Sequence, residues 1–283
     1  MFTINPRVMD KIVKLILWIS ALLIILILFS IIFYIFLRGW NVMSIEFIFG
    51  WPREDWEQGG IFPAIFGTFY MVFISLIFAM PIGVGASVFL VEFTRNEKLI
   101  NMISTLVDSL NAIPSIVFGL LGLALFVSYL KMAPSVLAAG LILGFMILPT
   151  VMRTSEVAIR SVPISEKEGS YALGATRLQT IRFVVLPRAL PGIVTGAILA
   201  LGRAIGETAP IIFLVIMTPA MIPISPLDPN NALTYVLYML AAEQTPRRIE
   251  VAFGISLVLI SIVLFLNYTA RFINNYLSRN INR

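Results

Sequence analysis

The sequence predicts an all-α integral membrane protein with six transmembrane helices, and three observations carry that prediction. Of the 283 residues, 59% are hydrophobic and only 12% charged, with a mean hydropathy of +0.96. An ordinary soluble domain is roughly 45–50% apolar and about 25% charged. The stretches free of Asp, Glu, Lys and Arg are long enough to cross a bilayer core, which takes about 20 residues as a helix. Lys and Arg also gather on alternate sides of those stretches. A soluble fold of this size needs a polar skin, so a soluble globular enzyme, a disordered chain and a nucleic-acid module are all excluded. The regular alternation of a membrane β-barrel is missing.

The spans are expected at about 15–37, 67–91, 109–130, 132–152, 191–217 and 251–270, within one membrane domain, 1–283. The second charge-free region, 58–91, is longer than one span needs, so 59–66 reads as a short interfacial segment before it. The fifth apolar region, 189–227, is interrupted only by Arg203 and Glu207. Splitting it fails, because 189–202 is too short to cross. Pro81, Pro114 and Pro149 are expected to kink or end helices. Gly83-Val84-Gly85-Ala86-Ser87 offers a small surface for close packing. Pro219, Pro223, Pro226 and Pro229 mark an irregular outer loop, and 232–242 a short interfacial helix. Glu54-Asp55-Trp56-Glu57 reads as a solvated loop.

Orientation follows from the basic residues. With a cytoplasmic N-terminus, segments 1–14, 92–108, 153–188 and 271–283 hold 14 Lys and Arg, and the opposite side holds five. Acidic residues divide evenly, so the basic side carries +7 and the other −2. Both termini are therefore expected in the cytoplasm, and the net charge of +5 is a topology signal. The first apolar run is longer than the 7–15-residue core of a signal peptide and lacks a small-residue cleavage site before Arg38. It reads as an uncleaved anchor.

Segment 153–188 is the longest and best organised of the basic pieces. Pro163 breaks what precedes it. Ser165-Glu166-Lys167-Glu168 fits a capping box, and Gly174 suits a left-handed helix end. Thr176-Arg177-Leu178-Gln179 is a second capping box, opening a helix expected to stop near Pro187. Local physics gives helix, glycine turn, helix.

Here the sequence resembles a family. Glu168-Gly169-Ser170, then Gly174, then Val184-Val185-Leu186-Pro187, is similar to the EAA loop of ABC importer permeases, which reads E-A-A, three residues, G, nine residues, I-x-L-P. Gly169-Ser170 stands for Ala-Ala and Val184 for Ile. The resemblance implies the type I importer permease fold, with 165–187 as the coupling helix that docks in a cleft of an ATPase subunit. A Walker A loop needs Gly-Lys followed by Ser or Thr, and no lysine here follows a glycine. ATP and Mg are thus expected on a separate subunit, with no cofactor or metal bound by this chain.

Arg203 and Glu207 lie in Gly202-Arg203-Ala204-Ile205-Gly206-Glu207-Thr208-Ala209-Pro210. Counted from Pro191, Arg203 sits roughly 18 Å along a helix, near mid-membrane. A spacing of four puts both groups on one helical face. One reading is a salt bridge that holds helices together. The other is an anion site: the guanidinium fork suits a tetrahedral oxyanion, and Glu207 keeps the empty site near neutral. A carboxylate repels an anion that brings no proton to share, so Glu207 would favour phosphate over sulfate.

That stretch, with Asn111-Ala112-Ile113-Pro114-Ser115-Ile116-Val117-Phe118-Gly119-Leu120 and Ile147-Leu148-Pro149-Thr150-Val151-Met152-Arg153-Thr154, resembles the A-type permeases of phosphate ABC importers. The resemblance covers about residues 60–215. It implies a heterodimer with a C-type permease, two ATPase subunits, an extracytoplasmic phosphate-binding protein and phosphate as substrate, in the plasma membrane. It implies that Arg203, Glu207 and Thr208 line the translocation path. It also implies an inner-gate role for Arg153, which as a residue reads equally as an interfacial anchor. It places Glu168, Gly169, Ser170, Gly174, Leu186 and Pro187 in the ATPase-coupling loop. The acidic stretch at 54–57 could meet the binding protein. Molybdate, sulfate or phosphonate permeases are the alternative substrates, and a channel or carrier independent of ATP is the alternative class. An intramembrane enzyme is excluded by the absence of His and Cys and by a single buried acid, Glu207.

Overall fold

The computed structural model describes residues 6–216, 221–243 and 245–281; Pro219, position 217 and the extreme termini lie outside them. Helix α1 (Pro6–Gly39) is an unbroken 34-residue helix, free of charge from 15 to 37. Its side chains are almost all exposed, and protein contact is confined to its last turns, where Tyr34 meets Phe253 edge-on. An exposed apolar helix of this length matches hydrocarbon rather than water.

Helix α2 (Ile45–Phe49) is capped by Ser44, whose Oγ accepts from the Phe47 amide at 3.0 Å. A two-residue hairpin follows, Pro52–Arg53 pairing antiparallel with Gln58–Gly59. Its tip is not the solvated loop the sequence suggests. Glu54, Asp55 and Trp56 all take left-handed backbone angles, φ 47, 52 and 71. That turn drives Trp56 into a core with Phe47, Leu233, Val236, Leu240 and Ile255. Arg248 then fastens the hairpin, with Nη2 on Asp55 at 2.8 Å and Nε on Glu57 at 2.9 Å. The segment 59–66, expected as a piece before the span, is divided between the hairpin and the span: Gly59 belongs to the hairpin, and α3 (Phe62–Val88) begins three residues later and continues as a π turn, Phe89–Phe93. Pro81 lies inside it.

The third span is shorter than expected. Helix α4 (Glu97–Ala112), capped by Asn96 Oδ1, lies at 93° to the segment Ser115–Tyr129, which comprises α5 (Ser115–Gly122) and a π turn, Leu123–Tyr129. Residues 109–112 thus leave the span. Pro114 forces the preceding Ile113 into an extended conformation (φ −67, ψ 128), as a pyrrolidine ring does to its neighbour. Helix α6 (Val136–Arg160) passes Pro149 and runs eight residues beyond 152, so Arg153 is helical.

Helix α7 (Ile164–Ala172) is followed by α8 (Arg177–Thr180), a π turn at Ile181–Val185, and α9 (Leu186–Gly206). Pro187 does not stop the helix as expected. The π turn immediately before it opens the i to i+4 ladder, so the ring meets a wider turn. Arg177–Gly206 forms a 30-residue span. That span ends at Gly206, not near 217 as the sequence suggests. From Glu207 the chain turns back into protein, burying Ile211 and Leu214 among Phe118, Ile142 and Met146. Pro210 cannot continue a helix, and irregular backbone at membrane depth survives only where protein covers it. Helix α10 (Leu233–Glu243) buries Leu233, Val236 and Leu240 while Tyr238 and its last residues stay exposed, and α11 (Pro246–Ile281) closes the described chain. Among the described residues five helices, with the bent α4–α5 pair as a sixth, meet the length and apolarity of a span.

The interior is built on α3, α6 and α9. Parallel α3 and α6 are joined by a Ser87 Oγ donation to the Met152 carbonyl at 2.7 Å. Antiparallel α9 comes close to α6 at two glycines, Gly192 against Ala158 and Gly196 against Thr154. The basic segments, including α4 and α7, lie at one end of the bundle and the Arg248-fastened hairpin at the other.

Candidate anion site and coupling loop

The α6–α9 register fixes the depth of Arg203. Pairing 192 with 158 and 196 with 154 brings Arg203 level with Ile147, near the middle of the 25-residue α6. Arg203 occupies the last turn of α9, where free carbonyls favour a cation. Glu207 is the residue at which the helix stops, with φ −82 and ψ 133. The two are therefore not neighbours on one helical face, as the spacing of four suggests. They meet across a helix end, Arg203 Nε to Glu207 Oε1 at 3.5 Å. The Glu207 carbonyl is held by a 2.9 Å donation from Thr234 Oγ1 at the start of α10. Thr208, partly exposed, accepts at its carbonyl from the Ile211 amide at 3.2 Å.

Arg203 and Arg153 differ in how much of the fork is occupied. The Arg203 side chain is 40% exposed, and among the described residues its polar partner is Glu207. Arg153 lies about six residues, or roughly 9 Å, nearer the basic end. Its Nε and Nη2 donate to Asp108 at 3.1 and 2.8 Å, Nη2 to the Ser104 carbonyl at 3.0 Å, and Nη1 to Glu156 at 3.0 Å and Ser104 Oγ at 3.3 Å. It ties α4 to α6. A groove of about 430 Å³ runs past Arg153, Thr154, Thr195, Gly196 and Leu199. Arg203 follows Leu199 by one helical turn. Asp108, Ser104, Glu156 and Thr234 have no motif that marks them. Asp108 and Glu156 are legible only as acids beside the basic end.

The loop at the basic end differs from expectation at its first capping box. Helix α7 starts at Ile164 behind Pro163 with no side-chain cap, so Ser165 is already helical. Glu168, the acid of that expected box, is exposed, and the two residues between it and Ser165 pair at a distance: Glu166 accepts from Arg188 Nε at 2.8 Å, and Lys167 donates to Glu92 at 2.6 Å. Gly174 takes φ +83 after the helix, where only a residue without Cβ is unstrained. The second capping box forms, Thr176 and Gln179 satisfying each other's amides. Ser170 Oγ and Thr180 Oγ1 share a 2.9 Å hydrogen bond. Glu168, Gly169, Gly174 and Pro187 are exposed and Leu186 is half-buried. Around them Leu173 is 91% exposed, with Ile164, Tyr171, Leu178 and Phe183 also outward. Such an apolar patch marks a surface that meets another protein or lipid.

Residues 79–283 match the family of binding-protein-dependent transport system inner membrane components. The chain belongs to this family. It is similar to the probable ABC transporter permease protein YqgI of Bacillus subtilis (strain 168), 33% identical across 98% of this chain and 99% of that one. It is also similar to the probable phosphate transport system permease protein PstA of Methanocaldococcus jannaschii, 33% identical over 90% of each. The bacterial alginate ABC transporter, solved with an alginate pentasaccharide-bound periplasmic protein, shares the fold at a TM-score of 0.66 over 94% of this chain and 96% of that one, with 18% identity. This permease is thus a multi-pass membrane subunit of an ABC importer with an all-α fold. It is a transport component rather than an enzyme.

Proposed function

We propose that this permease carries inorganic phosphate into the cell, with Arg203, Glu207 and Thr208 as its anion site. The observation that supports this reading is the half-exposed Arg203 fork at mid-bundle, held loosely by one carboxylate and standing one turn above an open groove. An arginine bound only for structure would have its donors filled, as Arg153 does. Phosphate fits the pair because it can donate an O–H to Glu207 while its remaining oxygens take the Arg203 donors. Sulfate has no proton to donate and meets the carboxylate as unpaired repulsion. Arg153, its donors held by protein, serves at the inner end of the path by keeping α4 against α6.

The name of the Methanocaldococcus relative points to the same substrate. In this reading the chain pairs with a second, C-type permease and takes substrate from an extracytoplasmic phosphate-binding protein. Two ATPase subunits bind ATP and Mg, each permease offering one a coupling loop; here it is Glu168, Gly169, Ser170, Gly174, Leu186 and Pro187 with the exposed apolar patch. Both termini face the cytoplasm, as the basic ends require. The test is uptake of labelled phosphate by the assembled complex in vesicles, with ATP inside or absent and with sulfate, molybdate or a phosphonate as competitor. ATP-dependent uptake that sulfate does not suppress is expected. Preferential uptake of another oxyanion, or uptake driven by membrane potential without ATP, contradicts the reading.

A further inference from the structure

Glu207, expected from the sequence to be the single buried acid, is half-buried, whereas Glu92 and Glu156 are buried, and the anion site leaves Glu92 unused. Glu92 sits in the π turn that ends α3, its side chain 8% exposed, and its carboxylate meets Lys167 Nζ of α7 at 2.6 Å; the Lys167 side chain is 16% exposed. These residues are 75 positions apart. A surface loop gains little from an exposed ion pair, but a pair removed from water is costly to form and strongly destabilising to break singly. The contact is reinforced one residue on, where the Arg177 guanidinium lies 4.6 Å from the centre of the Phe93 ring.

We propose that the Lys167–Glu92 pair is the strut through which movement of α7 reaches the membrane helices. This rests on the reading of α7 as the surface that an ATPase grips. From Glu92 the connection is continuous. Helix α3 is fixed to α6 by Ser87 on the Met152 carbonyl and by Gly83 against Val151. Val151 and Ile147 of α6 pack in one buried cluster with Ala200 and Ala204 of α9, and Ala204 adjoins Arg203. Packed chains of this kind carry coupling between separated sites. The two ends of the loop also rest on π turns, 89–93 under Lys167 and 181–185 after Thr180, to which Ser170 is bonded. A π turn is a break in regular helix geometry that is frequent at functional sites, and α7 is attached by polar contacts beside two of them.

The experiment uses the complete complex, reconstituted in vesicles, and reads ATP hydrolysis and labelled phosphate uptake from the same preparation. The variants are Glu92→Gln, Lys167→Met and the double. The double carries no unpaired buried charge and so guards against a folding failure of either single. The strut predicts that all three keep ATP hydrolysis while uptake per ATP falls by roughly 5–150-fold, the span of a typical coupling free energy. It also predicts that the double is no worse than the singles, because one shared contact is lost in each. A wild-type ratio in the double overturns the strut. So do effects that multiply in the double, or hydrolysis and uptake that fall together. If the unsubstituted complex takes up phosphate without ATP, it is the importer reading that fails, and that result is visible before any variant is compared.

Discussion

Arg203 Nε stands 3.5 Å from Glu207 Oε1 at the point where α9 ends. The pair is held by a broken helix rather than by a continuous one, and its members have different surroundings. Glu207 is anchored through its carbonyl to Thr234, whereas the Arg203 head is half-exposed above a groove. The Glu207 backbone is therefore fixed where the helix ends, and the guanidinium is available.

Replacing Glu207 by Gln removes the charge and keeps the shape. Preference for phosphate over sulfate should narrow by about tenfold or more, the equivalent of ~1.5 kcal/mol for a hydrogen bond to a charged group. Competition of unlabelled sulfate against labelled phosphate measures it. An unchanged preference assigns selectivity elsewhere.

Arg153→Gln should act on stability and not on substrate. It strips four donor contacts from α6 to α4 and one within α6, costing about 1.5–3 kcal/mol on the scale of hydrogen bonds to charged groups. The thermal midpoint of the purified complex should fall while the phosphate concentration for half-maximal uptake stays put.

Gly196 is set by contact. A Cβ there would lie 2.1 Å from Thr154 Oγ1 and 2.5 Å from Thr154 Cβ. Gly196→Ala should force α6 and α9 apart at a cost of about 1–3 kcal/mol, again read as a lower thermal midpoint. Thr154→Ala removes the Oγ1 but keeps its own Cβ in the way, so Gly196→Ala combined with Thr154→Ala should recover only part of the loss.

The two loop glycines should behave oppositely. Gly169 is helical with open space around it, so Gly169→Ala should be tolerated or stabilise by up to ~1 kcal/mol through helix propensity. Gly174, at φ +83, should cost roughly 1–2 kcal/mol when replaced by Ala. Thermal midpoints separate the two, and uptake should be near normal for the first.

Much of this was legible in the sequence. Long charge-free runs and the asymmetry of Lys and Arg place the helices and their basic end. The spacing from Glu168 to Pro187 marks the loop, and Thr176–Gln179 forms the capping box it spells. What was missed lies where a local signal met a tertiary one. Gly206 and Pro210 are ordinary helix-stop signals, but the apolar run beyond them hides the stop, because the chain stays buried after leaving the helix. Pro114 does break the third span, yet the sequence gives no angle for the bend. Pro187, which looks like a stop, is passed because the π turn before it has no sequence signature. Ser165 is no cap because α7 already starts at Ile164 behind Pro163, and the pairings of Glu166 with Arg188 and Lys167 with Glu92, 22 and 75 residues apart, are beyond any local pattern.

The central claim is that Arg203 holds the transported anion. ATP-driven uptake of labelled phosphate by the assembled complex, with Arg203→Gln compared to Arg203→Gln/Glu207→Gln as a control for the unpaired carboxylate, tests it most directly. Both should lose uptake by roughly a hundredfold, as loss of a charge-assisted contact of ~3 kcal/mol gives, while complexes form in normal amount. Retained uptake in either would make Arg203 a structural salt-bridge partner and move the anion site elsewhere.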